Sequence, residues 1–168
     1  MDDIDTVLAD VQAGFDSYVA FAPLGWAPPD AIARRQRTSE RLADPRTWAT
    51  VALSGGAPVG HVAFVPGSER SVVQPRRADA ERPVVPGLCH LWQLFVLPEW
   101  WGRGVAPLLH DAATGAMRAQ GYERARLFTP SLHARARRFY ERRGWTLTGE
   151  EWSDDLALML TEYGLRLT

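Results

Sequence analysis

The sequence predicts a mixed α/β fold, and three observations carry that prediction. Leu88 to Leu97 is apolar on nearly both faces, the composition of a strand buried in the middle of a sheet. Leu108, Leu109, Ala112, Ala113, Ala116 and Met117 follow it at helical spacing. Strand-like and helix-like runs then alternate in the order helix, helix, strand, strand, strand, helix, strand, helix, strand, strand, which is not the order of a doubly wound nucleotide fold.

Each element has its own signal. Ile4, Val7, Leu8, Val11, Phe15, Tyr18 and Val19 recur at helical spacing and predict an opening amphipathic helix, broken by Pro23, Pro28 and Pro29. Asp30 is an N-cap type for a second helix to about Leu42. Trp48 to Leu53 and Val59 to Val65 read as paired strands around the turn Ser54-Gly55-Gly56-Ala57-Pro58. Pro66 to Gly87 is polar, proline-rich and longer than an ordinary loop, which suits either a binding segment or plain disorder. After the central strand, Pro107 suits a helix's first turn, Asp111 complements its positive end, and Gly121 closes it. Arg124 to Thr129 is a short strand. Leu132, Ala136, Phe139 and Tyr140 line one side of a further helix, ended by Gly144. Trp145 to Thr148 and Leu156 to about Tyr163 are two closing strands.

Composition narrows the function. The chain has 168 residues, which suits one domain spanning 1–168, and a formal net charge of −1 gives no global attraction to nucleic acid or an anionic membrane. No apolar run approaches the roughly 20 residues that span a bilayer. No secretory leader is visible at Met1-Asp2-Asp3-Ile4-Asp5, so a cytoplasmic setting is expected. The single cysteine, Cys89, excludes an intramolecular disulfide and sits in an apolar run as a buried thiol would. No metal site is expected.

The chemistry begins at Leu97-Pro98-Glu99-Trp100-Trp101-Gly102-Arg103-Gly104-Val105-Ala106, where the central strand runs through a Gly-x-Gly turn into a helix. Such a turn aims backbone N–H groups into a concavity, and the helix N-terminus adds partial positive charge, so the site suits phosphate. A dinucleotide fingerprint would need a third glycine where Pro107 stands, and the Gly-Lys-Ser/Thr of a P-loop is absent.

This turn, together with Ala136-Arg137-Arg138-Phe139-Tyr140-Glu141-Arg142-Arg143-Gly144-Trp145 downstream, resembles the GNAT superfamily of acyl-CoA-dependent N-acyltransferases. The resemblance covers about Leu88 to Gly149. It implies an α/β fold with a mixed, mostly antiparallel sheet, splayed central strands and about four flanking helices, and adds an N-terminal strand that the sequence does not display. It implies acetyl-CoA as cosubstrate, with the amides of Trp101, Gly102, Arg103, Gly104, Val105 and Ala106 holding the pyrophosphate and the edge at Phe95, Val96 and Leu97 pairing with the pantetheine arm. Two positions depart from the family's pattern: Trp101 replaces Gln/Arg in the turn, and His133 replaces the asparagine that contacts the arm.

The same resemblance implies Tyr140 as the proton donor to the leaving thiolate, against the alternative of a phenol packed in the core. The backbone amide of Val96 is the candidate for polarising the acyl carbonyl. Period-two alternation puts His90, Trp92, Leu94 and Val96 on one strand face, which makes His90 the candidate base. Arylalkylamine N-acetyltransferases, a branch of the family, carry a histidine at a similar distance. A core histidine bonded to a carbonyl is the other reading. His61 and His110 are expected to be structural or exposed, and Glu99 a loop carboxylate.

Arg103, Arg135, Arg137, Arg138, Arg142 and Arg143 form a local basic cluster, of which Arg103 and Arg138 are the candidates for the 3′-phosphate. Trp26, Trp92 and Trp152 are candidates to line the acceptor pocket. The predicted activity is acetyl transfer to a primary amine of a small molecule, peptide or protein, by direct attack in a ternary complex. A catalytically silent acyl-CoA-binding module is the alternative, and a homodimer is among the states the family adopts.

Overall fold

The computed structural model describes residues 3–28, 30–69 and 83–168. In chain order these form α1 (Asp3–Asp16), a 3-10 turn (Ser17–Ala20), α2 (Ala31–Ala43), β1 (Trp48–Ser54), β2 (Ala57–Ser68), β3 (Val84–Val96), a second 3-10 turn (Pro98–Trp100), α3 (Val105–Ala119), β4 (Arg124–Pro130), α4 (Ala134–Glu141), β5 (Thr146–Ser153) and β6 (Leu158–Arg166). The order of helices and strands is the expected one, and among the described residues no strand precedes α1.

Four strand boundaries differ from the expected ones. β2 and β3 reach into the polar segment, where Ser68 pairs with Val84 and the Glu69 amide donates to the Pro83 carbonyl at 2.9 Å. The rest of that segment, 70–82, lies outside the described residues, and so does its reading as a binding loop. β5 continues to Ser153 because β6 pairs with it all the way to the Ser153–Leu158 closure. β6 correspondingly begins at Leu158, after a turn in which Ala157 takes a φ of 48°.

The six strands make one sheet in the order β1-β2-β3-β4-β6-β5, antiparallel except for the parallel β3–β4 pair. α3 supplies the crossover between those two strands. Its C-terminus is closed by Gly121 at φ 81°, with the Gly121 amide on the Arg118 carbonyl at 3.0 Å and the Tyr122 amide on the Met117 carbonyl at 3.1 Å. Leu109, Ala113 and Met117 of α3 pack on Val62 and Phe64 of β2, Cys89 and Leu91 of β3, and Ala125 and Leu127 of β4. Tyr140 of α4 joins this core beside Trp145 and Tyr163. Each such side chain fully removed from water contributes about 1.5–3 kcal/mol. α1 covers the opposite face, where Phe15 meets Phe95 with ring centroids 5.5 Å apart.

One irregularity in β3 shapes everything at its C-terminal end. Ala63 pairs with Gln93 but Phe64 pairs with Leu91, so β3 carries an extra residue, Trp92, in a β-bulge. Leu91 and Leu94 therefore share the α3 face, since their partners Phe64 and Val62 do. His90, Gln93 and Phe95 face α1 and α2, opposite Val65, Ala63 and His61. The expected face of His90, Trp92, Leu94 and Val96 does not exist, because the bulge breaks period-two alternation between His90 and Leu94.

The same bulge falls just past the last β3–β4 pair. The two strands are in register only from Leu88–Arg124 to Leu91–Leu127. Beyond that, β3 stays with β2 as far as Val96–Gly60, and β4 stays with β6 as far as Pro130–Leu160. A bulge bends its strand and raises local twist, and here the central strands part into a V-shaped gap.

Candidate active site

The gap presents backbone groups to a ligand. The Leu97 amide donates to the Val59 carbonyl at 3.1 Å, which makes the neighbouring Val96–Gly60 pair a non-hydrogen-bonded one. The N–H and C=O of Val96 therefore point away from β2, toward β4. A Cβ on Gly60 would stand 2.6 Å from the Phe95 carbonyl oxygen, so glycine is what lets β2 approach so closely there.

Past Val96 the chain makes its 3-10 turn and then the Gly-x-Gly turn. Gly102 and Gly104 have φ of 77° and 85°, and a Cβ on either would meet nothing within 4 Å. The turn thus opens on free space, which fits a phosphate held by main-chain donors. The first intrahelical amide bond of α3 at its N-terminus is Leu108 to the Gly104 carbonyl, at 3.2 Å. The amides of Val105 and Ala106 precede it and face out of the helix end, where the helix dipole is positive. Arg103 is exposed, with its guanidinium 5.2 Å from the Trp100 ring centroid.

The acetyltransferase (GNAT) family model matches residues 11–145. The chain belongs to the GNAT acetyltransferase family. Its fold is similar to that of a protein from Desulfovibrio desulfuricans assigned to the GNAT acetyltransferases, with a TM-score of 0.71, 17% identity, and coverage of 99% of this chain and 93% of that one. An N-acetyltransferase from Staphylococcus aureus Mu50 gives 0.69 at 19% identity, over 99% and 93%. The paia N-acetyltransferase from Thermoplasma acidophilum, solved in complex with coenzyme A, gives 0.63 at 12% identity, over 95% and 91%. A sequence comparison with curated proteins gives no match.

Within this GNAT fold, Tyr140 is 8% exposed and packs against Phe139, Trp145 and Tyr163. Burial pushes its phenol well above the usual tyrosine range, and the nearby Tyr18 phenol pushes it further. Tyr140 belongs to the α4 side of the sheet and Tyr18 to the α1 side. Burial raises the Tyr18 phenol too, partly offset by Arg34.

Helical spacing alone makes Tyr18 one more residue of an amphipathic stripe. In the structure it anchors an aromatic group: its ring is 5.0 Å from Phe21, 6.2 Å from Trp26 and 5.9 Å from His133. His133, from the turn before α4, stacks on Phe21 at 4.3 Å. Burial, reinforced by the Arg135 charge, lowers its pKa to about 4, so at neutral pH the ring is uncharged. The only sequence signal for this group was the density of aromatics between the first two helices. Of the three candidate pocket tryptophans, Trp26 lies here and donates its indole N–H to the Leu156 carbonyl at 2.7 Å. Trp92 lies under Arg41 of α2, 4.8 Å from guanidinium to ring, and Trp152 is exposed on the edge strand β5.

His90 sits at the closed end of the gap, on the α1–α2 face, with its ring 5.5 Å from Phe128. His61 is fully buried and its Nε2 meets Gln93 Oε1 at 3.1 Å. His110 is buried and accepts the Trp145 indole N–H at Nε2, 2.9 Å away, so its Nδ1 carries the proton toward Asp111. Burial lowers its pKa. Both histidines are structural. Burial pushes the Cys89 thiol up to about 12, and Cys89 is fully buried. Glu99 is an exposed carboxylate in the 3-10 turn.

The arginine cluster divides. Arg137 donates to the Tyr163 hydroxyl at 3.2 Å and the Ser131 carbonyl, and Arg143 pairs with Asp111. Arg135, Arg138 and Arg142 line a groove of about 1010 Å³ between α3 and α4. Among the described residues no group of three or more His, Cys, Asp or Glu is placed to hold a metal ion, and no helix is long and apolar enough to cross a membrane.

Proposed function

We propose that this chain is an N-acetyltransferase that moves acetyl from acetyl-CoA to a primary amine by direct attack in a ternary complex. The observation that carries the reading is the alignment of an open strand edge with a phosphate-type turn: Val96 turns its amide and carbonyl into the gap, and the Gly102–Ala106 turn continues from the same strand. Phe95, Val96 and Leu97 would meet the pantetheine arm, and the amides of Gly102, Gly104, Val105 and Ala106 the pyrophosphate. The Trp101 and Arg103 amides, expected among the donors, are spent on the Pro98 and Trp100 carbonyls at 3.1 and 3.4 Å. The groove arginines, Arg138 foremost, suit the 3′-phosphate. Acetyl-CoA supplies an acyl group activated as a thioester.

The chain's own groups then divide the work. The Val96 N–H, fixed by β2 on the far side of its strand, donates toward the carbonyl oxygen where charge develops. Tyr140 keeps its proton at any ordinary pH and presents it to the departing sulfur. His90, on the face opposite α3 and α4, takes a proton from the incoming ammonium through water in this reading. His133 is neutral and holds the α1–α2 connection over the gap through Phe21. The aromatic group of Tyr18, Phe21 and Trp26 forms the acceptor's wall, which favours an amine on an apolar body. A lone buried thiol suits the reducing cytoplasm.

The test is thiol release from acetyl-CoA across a panel of amines, with Tyr140→Phe beside the native chain. Loss of turnover on the order of a hundredfold with unchanged coenzyme A affinity is expected. Undiminished turnover removes Tyr140 from the mechanism. Calorimetric coenzyme A binding with no thiol release across the panel supports the silent acyl-CoA-binding module instead.

A further inference from the structure

Trp101, the residue that departs from the family's turn, does something specific in this structure. Its indole Nε1–H donates to the Val96 carbonyl oxygen at 2.7 Å. That carbonyl is one of the two groups Val96 turns into the gap, so the indole supplies the partner that β4 would supply in an unbroken sheet. Arg135, in the first turn of α4, holds its guanidinium 4.6 Å from the Trp101 ring centroid. The side chain thus links the phosphate turn, the end of β3 and the start of α4 across the wide end of the cleft. Trp101 is 39% exposed and Arg135 is exposed, so the bridge lies at the surface, where a ligand can reach it.

We propose that Trp101 is a positioning residue that bolts the cleft and must yield the Val96 carbonyl before the cosubstrate's arm can pair with β3. The inference rests on the acetyl-CoA reading of the site. An amide N–H of the arm and the indole N–H compete for one acceptor, and a neutral hydrogen bond exchanged in this way is worth a modest net free energy. Withdrawal of the indole also releases Arg135, which lines the α3–α4 groove, to turn toward phosphate. Entry of the arm and recruitment of a groove cation are thereby one event.

Trp101→Phe keeps the ring under Arg135 and removes only the donor. Titration calorimetry should show coenzyme A binding on the order of three- to tenfold tighter in this variant than in the native chain. Adenosine 3′,5′-bisphosphate, which has no arm, should bind both alike. In 1H–15N spectra of the native chain, the indole N–H resonance that Trp101→Phe deletes should move on saturation with coenzyme A and stay in place with the bisphosphate. Circular dichroism and thermal unfolding establish that the variant is folded.

Unchanged or weaker coenzyme A binding by folded Trp101→Phe overturns the bolt while leaving the proposed function standing. So does an indole resonance that ignores coenzyme A. A native chain that takes up no coenzyme A at all overturns both.

Discussion

Replacing His133 by asparagine gives a pH-dependent change in stability whose size follows from where the ring sits. In the folded chain its pKa is lowered from 6.5 to about 4 by burial and by the Arg135 charge. Above pH 6.5 neither the folded nor the unfolded chain protonates this ring, and the site contributes no slope. Between 6.5 and about 4 the unfolded chain binds a proton that the folded chain refuses, so stability falls as pH falls. The full shift corresponds to ~3 kcal/mol, and the partial exposure of the ring brings that to ~2 kcal/mol. Urea unfolding at pH 7.5 and pH 4.5 reads the difference directly. The native chain should lose ~2 kcal/mol more than His133→Asn between the two conditions. At pH 7.5 the variant should be the weaker of the two, since it lacks the 4.3 Å stack on Phe21. Equal losses on acidification would refute the argument that His133 is held neutral by its burial against Phe21.

Three further outcomes follow from the same geometry. Gly14→Ala puts a methyl group 2.1 Å from the Phe95 ring, where α1 crosses the end of β3, and should cost ~1–3 kcal/mol in urea unfolding. An unchanged midpoint would mean that the ring moves freely. Cys89 should resist iodoacetamide in the folded chain at pH 8 and react within minutes in urea, as mass spectrometry would show, because burial removes both access and thiolate. Arg138→Ala combined with Arg142→Ala should erase most of the preference for coenzyme A over its 3′-dephospho form in calorimetry, and a retained preference would move the 3′-phosphate out of the α3–α4 groove.

What sequence could convey here divides along physical lines. Local punctuation was readable: Gly121 closes α3 and Gly144 follows α4 because their positive φ is a requirement of the chain itself. The phosphate turn was readable for the same reason, as strand, glycines and helix are contiguous. The face of His90 was not, because one extra residue at Trp92 inverts alternation and nothing in Leu91-Trp92-Gln93 announces a bulge. Tyr18 and His133 meet across more than a hundred positions, and helical spacing explained Tyr18 well enough to hide it. Trp101 was recognisable as a departure, but its role depends on which way the Val96 carbonyl points, and the bulge at Trp92 decides that.

The short parallel seam between β3 and β4 has a mechanical consequence. With only Leu88–Leu91 joined to Arg124–Leu127, the sheet is two three-stranded wings, β1-β2-β3 and β4-β6-β5, stitched along four residue pairs. Compliance of the whole sheet concentrates in that seam, and its lever arms are the free ends that carry Val96 on one wing and Pro130 on the other. A small rotation there opens or narrows the cleft without breaking a single bond inside either wing. The Trp92 bulge therefore sets a fulcrum as well as a fork.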